Sequence, residues 1–236
     1  SELNFPGEAN GILLPVEKWS GTSLPTIAIG QGVSVTPLQM LTAYATLANR
    51  GLKPAPTLIR SMGNNVDMTF ESLKTQPERI IESQTADSLV QIIETVVSSG
   101  TGRNAQVPGY RVAGKTGTAW KPQLGGYGEE KEDRRYVVSF AGFFPVDDPE
   151  IVALVVVDEP SSTADSGGKA AAPIFADFAK FAARQLRIPS ENEKIDPTSS
   201  ERVLAITSIQ AGLLNSFSSE LPNNRFDEEV AGSLVE

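Results

Sequence analysis

The sequence predicts an α+β fold in which antiparallel strands pack against helices. Apolar residues recur at helical spacing in two segments before residue 100 and in one segment after residue 170, whereas the segments between them have the pattern of strands. Only about six residues, 145–150, separate the last two strands, and a parallel crossover needs about a dozen or more, so this pair should be an antiparallel hairpin. Of the 236 residues, 40% are hydrophobic, which is enough to build a core.

The first helix is preceded by residues 1–35, which are rich in Gly and Pro and predict an ordered loop with short extended pieces. Thr36 is a good N-cap, Pro37 suits the first helical position, and Gly51 follows as a stop signal. The apolar stripe is broad and is predicted to be mostly buried; it consists of Leu38, Met40, Leu41, Tyr44, Ala45, Leu47 and Ala48.

The remaining elements follow a polar connector that contains Asn64 and Asn65. A second helix is predicted over about residues 85–99, and Gly100 closes it. Strands are predicted at residues 110–120, 135–144 and 151–158. A final amphipathic helix is predicted over about residues 171–186, and its expected buried side consists of Ile174, Phe175, Phe178, Phe181 and Ala182.

The composition changes at about residue 190. Residues 1–189 should form the folded domain, and residues 190–236 should form an acidic, flexible tail, because from Glu191 onward there are nine acidic and three basic residues among many Ser, Asn and Pro. One apolar patch, residues 203–214, interrupts this tail.

The residue types that the chain lacks exclude several kinds of site. There is no His, so a Ser-His-Asp triad and a His-ligated metal are excluded, and there is no Cys, so thiol catalysis and disulfides are excluded. We expect neither a metal nor a cofactor. The net charge of −9 argues against nucleic acid as a partner, since that partner needs a basic surface.

Lys115 lies in a segment that two motifs describe. Residues 109–116 read G-Y-R-V-A-G-K-T and fit the phosphate loop G-x-x-x-x-G-K-[ST], but such a loop needs a strand before it and a helix that begins at the lysine. The residues before Gly109 are polar and end in Pro108, and the glycines that follow Thr116 predict against a helix.

A strand that carries K-T-G-T at residues 115–118 is the alternative interpretation. Side chains alternate along a strand, so Lys115 and Gly117 should lie on one face, with Thr116 and Thr118 on the other. A glycine on an edge strand lets a ligand backbone lie close, and an incoming peptide can pair with such an edge. The ammonium and the hydroxyls would then bind the carboxylate of the peptide.

The segment V-A-G-K-T-G-T-A at 112–119 resembles the KTG motif of class B penicillin-binding proteins, the D,D-transpeptidases that cross-link peptidoglycan. Other segments match this family in order. They are F-P-G-E-A-N-G at 5–11, I-G-Q-G-V-S-V-T-P-L-Q-M-L-T-A-Y-A-T-L-A-N-R-G at 29–51, R-Y-V-V-S-F-A-G-F-F-P at 135–145, V-V-V-D-E-P at 155–160 and A-A-P-I-F at 171–175. The resemblance covers about residues 1–187, and its wording is nearer to the cell-division type than to the elongation type.

This resemblance implies part of a serine β-lactamase/D,D-peptidase-like transpeptidase fold and assigns roles to four residues. Lys115 would be catalytic through its positive potential, and Thr116 and Thr118 would bind the terminal carboxylate of a stem peptide or of a β-lactam. The backbone N–H of Thr118 would supply half of an oxyanion hole, and Gly117 would leave room for the ligand backbone. Trp120 either lines the cleft or, as we expect, packs within its sheet, and the charged residues 129–135 should form a solvated loop face.

The chain departs from the family pattern in one respect. The S-x-x-K and S-x-N motifs should precede the KTG motif, but here matching letters occur only after it, at Ser166–Lys169 and Ser190–Asn192, and we interpret both as chance matches. We therefore expect the chain to be the carboxyl-terminal part of a transpeptidase domain whose nucleophilic serine lies outside it. The almost unbroken apolar strand at 152–157 supports this interpretation, because such a strand needs cover on both faces and pairing on its edges.

The implied partners are peptidoglycan stem peptides, β-lactams, the N-terminal remainder of the same polypeptide and other cell-wall or division proteins. The implied location is the extracytoplasmic face of the bacterial inner membrane, with the anchor in a segment outside this chain. Two alternatives of other classes remain: a penicillin-recognising domain without turnover, and an interaction module built around residues 203–214.

Overall fold

The computed structural model describes residues 6–56, 77–121, 123, 124, 126 and 134–191. The chain divides into two units, Ser1–Ile188 and Pro189–Glu236, and only the first three residues of the second unit are described. Every helix among the described residues is too short or too polar to cross a membrane. The predictions for the Asn64–Asn65 connector, the charged run 129–133 and the tail patch 203–214 lie outside the described residues, and so does that for Asn192.

The amino-terminal segment is mostly irregular, as predicted, but it contains a short helix that the sequence did not predict. Strands β1 (Ile12–Leu13) and β2 (Val33–Ser34) pair antiparallel, and helix α1 (Ser23–Ala28) lies between them in the chain. Pro25 is tolerated because it occupies the first turn, where a backbone N–H would have no partner within the helix. The hydroxyl of Thr26 donates to the carbonyls of Thr22 and Ser23, which supports this turn.

Helix α2 (Pro37–Ala48) begins at the predicted residue. Thr36 Oγ1 accepts from the Gln39 backbone N–H (3.1 Å) and Gln39 Oε1 accepts from the Thr36 N–H (2.8 Å), which is a complete capping box. Gly51 follows the helix with a φ of 86°. The prediction of a mostly buried apolar stripe was wrong: its side chains are only half-buried because α2 borders open grooves, and the one buried residue of the helix is Thr46.

Helix α3 (Ser83–Ser98) follows two short strands, β3 (Leu52–Lys53) and β4 (Glu78–Arg79), that pair antiparallel. The helix starts two residues before the predicted start and ends one residue before the predicted end. An apolar groove of about 740 Å³ lies between α2 and α3, with Thr46, Leu47, Ile81 and Leu89 on its walls. This groove explains why side chains of both helices remain partly in contact with solvent.

Three antiparallel strands form the sheet in the order β5 (Ala113–Trp120), β6 (Tyr136–Phe144) and β7 (Ile151–Asp158). The last two strands form the predicted hairpin, with Ala141 opposite Leu154. Strands β5 and β7 are therefore the two outer strands of this sheet as the described residues form it.

Helix α4 (Ala171–Leu186) packs on one face of the sheet, where Phe140, Phe144 and Phe175 are fully buried. The rings of Phe140 and Phe175 have centroids 4.8 Å apart. The bounds of α4 match the prediction, but its expected buried side was partly wrong. The helix turns a row of buried alanines towards the sheet, namely Ala171, Ala172, Ala176, Ala179, Ala182 and Ala183.

Three of the side chains that were expected to be buried are exposed, by 50% for Ile174, 44% for Phe178 and 58% for Phe181. The physical reason is size: alanines let the helix approach the sheet closely, so that the large rings of β6 fill the interface. The larger apolar side chains of α4 then point away from the sheet.

A pair of glycines accommodates the ring of Phe140. Gly114 and Gly142 are directly opposite each other in β5 and β6. A Cβ at Gly114 would lie 2.5 Å from Phe140 Cζ, and a Cβ at Gly142 would lie 2.8 Å from Phe140 Cε1. The ring therefore occupies the space that side chains at both positions would need.

Candidate functional site

Lys115 lies inside strand β5, an outer strand of the sheet, and its side chain is exposed. The ammonium Nζ donates to the carbonyl oxygen of Thr116 at 2.9 Å. A phosphate loop would place this lysine at the start of a helix, wrapped by a glycine turn. The location in the middle of a strand excludes that interpretation and leaves the edge-strand interpretation.

The predicted alternation of side chains along β5 is confirmed. Thr116 is opposite Phe140 and Thr118 is opposite Val138, and both of these partners are buried on the face that α4 covers. Lys115, opposite Ala141, therefore lies on the other face of the sheet. The side chain of Lys115 thus leaves the strand on the opposite face, but its Nζ reaches back to within 3.5 Å of Thr116 Oγ1.

The two threonines line a cavity of about 370 Å³. Its other walls are the turn at residues 100–104, which follows α3, and the loop at residues 166–169, which leads into α4. Thr101 Oγ1 lies 2.9 Å from Thr116 Oγ1, and the backbone N–H of Gly167 donates to Thr118 Oγ1 at 3.4 Å. Each predicted carboxylate-binding hydroxyl therefore contacts one wall of the cavity.

The loop at 166–169 lies directly against the backbone of the sheet. A Cβ at Gly167 would be 2.2 Å from the carbonyl oxygen of Ser139 and 2.7 Å from that of Gly117, so only glycine fits. Asn104 Nδ2 donates to the carbonyl oxygen of Gly168 at 2.7 Å and joins this loop to the turn after α3. The cavity walls are therefore fastened to each other as well as to the sheet.

Gly117 has a neighbour of its own. A Cβ at this position would lie 2.4 Å from the hydroxyl oxygen of Ser139, which is directly opposite in β6. The space that was predicted for a ligand backbone thus borders a polar side chain that can rotate.

Residue identity alone gave little indication of the cavity walls. Thr101, Asn104, Gly167 and Gly168 lie in turns that the sequence marked only as breaks between elements. The letters S-x-x-K at Ser166–Lys169 are part of this wall, and Lys169 Nζ donates to Asp165 Oδ1 at 2.9 Å. The sequence pattern does not predict that this loop lies next to the threonines.

Ion pairs connect the carboxyl-terminal ends of β5 and β7. Lys121 Nζ contacts Glu159 Oε1 at 2.7 Å and Asp158 Oδ1 at 2.9 Å, and hydrogen bonds to these two carboxylates raise the pKa of Lys121. The hydrogen bond from Lys121 lowers the pKa of Glu159 below its ordinary value of 4.5.

Trp120, expected to pack within its sheet, is 44% exposed, and the guanidinium carbon of Arg134 lies 4.3 Å from its ring centroid. The expectation was wrong because a loop arginine covers the ring in place of the sheet. In the part of the chain that the structure describes, no group of three or more acidic, His or Cys side chains could hold a metal ion.

The chain is similar to known proteins both in sequence and in structure. Residues 1–180 match the family model of the penicillin-binding protein transpeptidase domain. Stage V sporulation protein D of Bacillus subtilis (strain 168) is 34% identical over 240 residues, which cover 99% of this chain and 36% of that protein. Penicillin-binding protein PbpB of Mycolicibacterium smegmatis is 37% identical over 199 residues, which cover 80% of this chain and 30% of that protein. The chain thus spans about a third of the length of these curated relatives.

Solved structures also match this chain. The transpeptidase domain of penicillin-binding protein 3 from Burkholderia pseudomallei aligns with a TM-score of 0.67 and 34% identity, over 80% of this chain and 54% of that one. Penicillin-binding protein 3 from Mycobacterium tuberculosis in complex with aztreonam aligns with a TM-score of 0.68 and 32% identity, over 80% of this chain and 44% of that one.

Proposed function

This chain belongs to the class B penicillin-binding protein transpeptidase family, and we propose that it supplies the carboxylate-binding strand of a serine D,D-transpeptidase site. The observation that carries the proposal is the position of K-T-G-T on an outer strand, with an exposed ammonium at Lys115 and two hydroxyls that face a cavity. Relatives named peptidoglycan D,D-transpeptidase support the type of reaction.

In the proposed reaction, a serine outside this chain attacks the carbonyl of the penultimate D-Ala of a stem peptide. The amide bond to the terminal D-Ala breaks, the departing amine takes up a proton, and an acyl-enzyme ester remains. An amine from a neighbouring stem then attacks this ester, which forms the cross-link and releases the serine. Neither step needs a metal or a cofactor.

In this proposal, the residues of β5 bind the negative charges of the substrate and hold its backbone in position. The hydroxyls of Thr116 and Thr118 donate hydrogen bonds to the terminal carboxylate of the peptide, and Lys115 adds positive potential at the same strand edge. The N–H of Thr118 donates to the oxyanion that forms during attack, and the absence of a side chain at Gly117 lets the ligand backbone approach β5.

Penicillins carry a carboxylate on the carbon atom attached to the β-lactam nitrogen, and aztreonam carries a sulfonate on that nitrogen, so both present an anion close to the reactive amide, as the stem peptide does. Penicillin-binding protein 3 from Mycobacterium tuberculosis has been solved with aztreonam and with ampicillin. We propose that a β-lactam binds to this chain with its carboxylate at Thr116 and Thr118.

We further propose the cell-division type, activity on the extracytoplasmic face of the inner membrane, and anchoring by a segment outside this chain. Other partners are the N-terminal remainder of the polypeptide, which contributes the S-x-x-K and S-x-N motifs, and other cell-wall or division proteins. The domain at 1–189 contributes the K-T-G-T strand to the site, and the tail at 190–236 contributes no group to it. Removal of residues 191–236 should therefore leave β-lactam acylation unchanged.

Lys115→Ala in the full-length polypeptide tests the proposal. Acylation by a labelled penicillin should slow by about 100-fold or more, on the scale of losing a main electrostatic group from an active site, while the melting temperature stays unchanged. Lys180→Ala is the matched control, because Lys180 is an exposed lysine on α4 whose ammonium pairs with Asp177. Unchanged acylation of Lys115→Ala would refute its role, and reversible binding without acylation by the unmodified protein would favour a penicillin-recognising domain.

A further inference from the structure

We propose that Thr101 and the backbone N–H of Gly167 are positioning groups that aim the hydroxyl protons of Thr116 and Thr118 at the substrate carboxylate. Asn104 holds the two walls on which these groups lie. This inference rests on the proposed function, because it specifies how the K-T-G-T strand presents its hydroxyls.

The hydrogen-bonding capacity of a hydroxyl group is limited. Each hydroxyl has one proton to donate and two lone pairs that accept. The backbone N–H of Gly167 can only donate, so Thr118 Oγ1 accepts from it and keeps its own proton for another partner. At 3.4 Å this contact is long for a hydrogen bond, so the contact of Thr116 with Thr101, at 2.9 Å, is the stronger of the two.

Thr116 Oγ1 has two neighbouring donors. Lys115 Nζ lies 3.5 Å away and, as an ammonium, can only donate. Thr101 Oγ1 lies at 2.9 Å, and either hydroxyl of this pair can be the donor. When an anion is in the cavity, the hydrogen bond from Thr116 to that anion is charge-assisted, so Thr101 is expected to donate to Thr116 and Thr116 to the anion.

The framework around these groups permits little movement. A Cβ at Gly168 would lie 2.4 Å from the carbonyl oxygen of Thr101, so the loop and the turn are in direct backbone contact. Asn104 adds its hydrogen bond to the Gly168 carbonyl across 64 residues of sequence. A site held in this way keeps the hydroxyl oxygens in place before the ligand arrives, which is what a specific carboxylate site requires.

The test compares a charged probe with a neutral one in the full-length polypeptide. Benzylpenicillin carries the carboxylate, and its methyl ester does not. Thr101→Val removes the hydroxyl at nearly constant size and should lower the acylation rate constant for benzylpenicillin by about three- to tenfold, the range for one hydrogen bond. The rate constant for the methyl ester should stay the same, and Thr101→Ser should restore the value for benzylpenicillin.

Thr95→Val is the matched control. It removes a threonine hydroxyl that donates to the Ile92 carbonyl within the exposed part of α3, outside the cavity. The acylation rates of both probes should be unchanged in this variant. Asn104→Ala is a second test of the same inference. It removes the hydrogen bond to the Gly168 carbonyl and should also lower the ratio of the benzylpenicillin rate constant to the ester rate constant.

The outcomes separate this inference from the proposed function. If Thr116→Val does not lower that rate ratio, Thr116 does not bind the carboxylate and the proposed function fails at this residue. If Thr116→Val lowers the ratio but Thr101→Val and Asn104→Ala slow both probes equally, or neither probe, then these residues are only structural and the inference is overturned.

Discussion

The two sides of helix α4 are both apolar, yet they have opposite environments. Towards the sheet, Phe175 and a row of alanines are buried beneath the rings of β6. Away from the sheet, Ile174, Phe178 and Phe181 expose about half of their surface. On β7, Val156 is also 46% exposed. One helix therefore combines a completed interface with an apolar surface that no other described residue covers fully.

This difference shows that the described residues cover the side of α4 that faces the sheet but leave its other side exposed. The side facing the sheet is packed as closely as a protein core, whereas three neighbouring large apolar side chains are rarely left in water without a binding partner. We propose that the outward side of α4 contacts the remainder of the polypeptide. The predictions below test this comparison, beginning with the largest expected effect.

The strongest test uses residues 1–190 alone. Because the outward side of α4 and the outer strand β7 would be in water, this fragment should associate instead of unfolding as a cooperative monomer. Sedimentation velocity at two concentrations and denaturant unfolding would measure this. A monomeric species with one cooperative transition would contradict the prediction and show that the outward surface needs no cover.

The second test compares two phenylalanines of α4 in the full-length polypeptide. Phe175→Ala should lower the free energy of unfolding by about 3–5 kcal/mol, because it empties a fully buried site. Phe178→Ala should cost about 2 kcal/mol or more if the remainder of the polypeptide covers it.

Leu124→Ala is the control, because Leu124 is fully exposed and its loss should cost about 0.5 kcal/mol or less. Denaturant unfolding of the three variants gives the values. If the cost of Phe178→Ala is as small as that of Leu124→Ala, the outward side of α4 stays in water and the comparison describes the whole protein.

The smallest expected effect on stability is that of the exposed ion pairs. Their contribution depends on pH, whereas that of apolar burial does not. Lys121 lowers the pKa of Glu159 below its ordinary value of 4.5, and Arg50, through a hydrogen bond, lowers the pKa of Asp87 below 3.8. Each ionised carboxylate therefore stabilises the fold when the pH is above its ordinary pKa. This stabilisation is lost as the pH falls through the lowered pKa.

Acid should thus cause a small decrease in the denaturant midpoint, with the part due to Glu159 appearing as the pH falls below 4.5. Lys121→Met should weaken this dependence, while Phe175→Ala should shift the midpoint by the same amount at every pH. A wild-type midpoint that does not change with acid would show that these exposed pairs contribute nothing to stability.

Local signals predicted most of the elements. The N-cap at Thr36, the antiparallel hairpin of β6 and β7, and the bounds of α4 follow from chemistry within a few residues, and all three agree with the structure. The alternation that separates Lys115 from Thr116 is equally local. These features do not depend on what the rest of the chain does.

Features that depend on distant contacts were not predictable in the same way. Periodicity showed an apolar α4 but could not tell which side would face the sheet, because both sides carry apolar residues. The cavity walls bring Gly167 to Thr118 across 49 residues and Thr101 to Thr116 across 15. Short side chains in turns give no periodic signal, so only the tertiary structure shows that they meet.

The two glycines beneath the ring of Phe140 have a consequence for how this sheet can evolve. A smaller residue at position 140 would not let Gly114 or Gly142 gain a side chain, because a Cβ at each glycine would also lie 2.7 Å from a carbonyl oxygen of the opposite strand, that of Ala141 or of Ala113. Among homologous sequences, positions 114 and 142 should therefore stay glycine whatever residue occupies position 140. Since residue 140 is also opposite Thr116, a smaller residue there would remove packing beneath the strand that carries the hydroxyls.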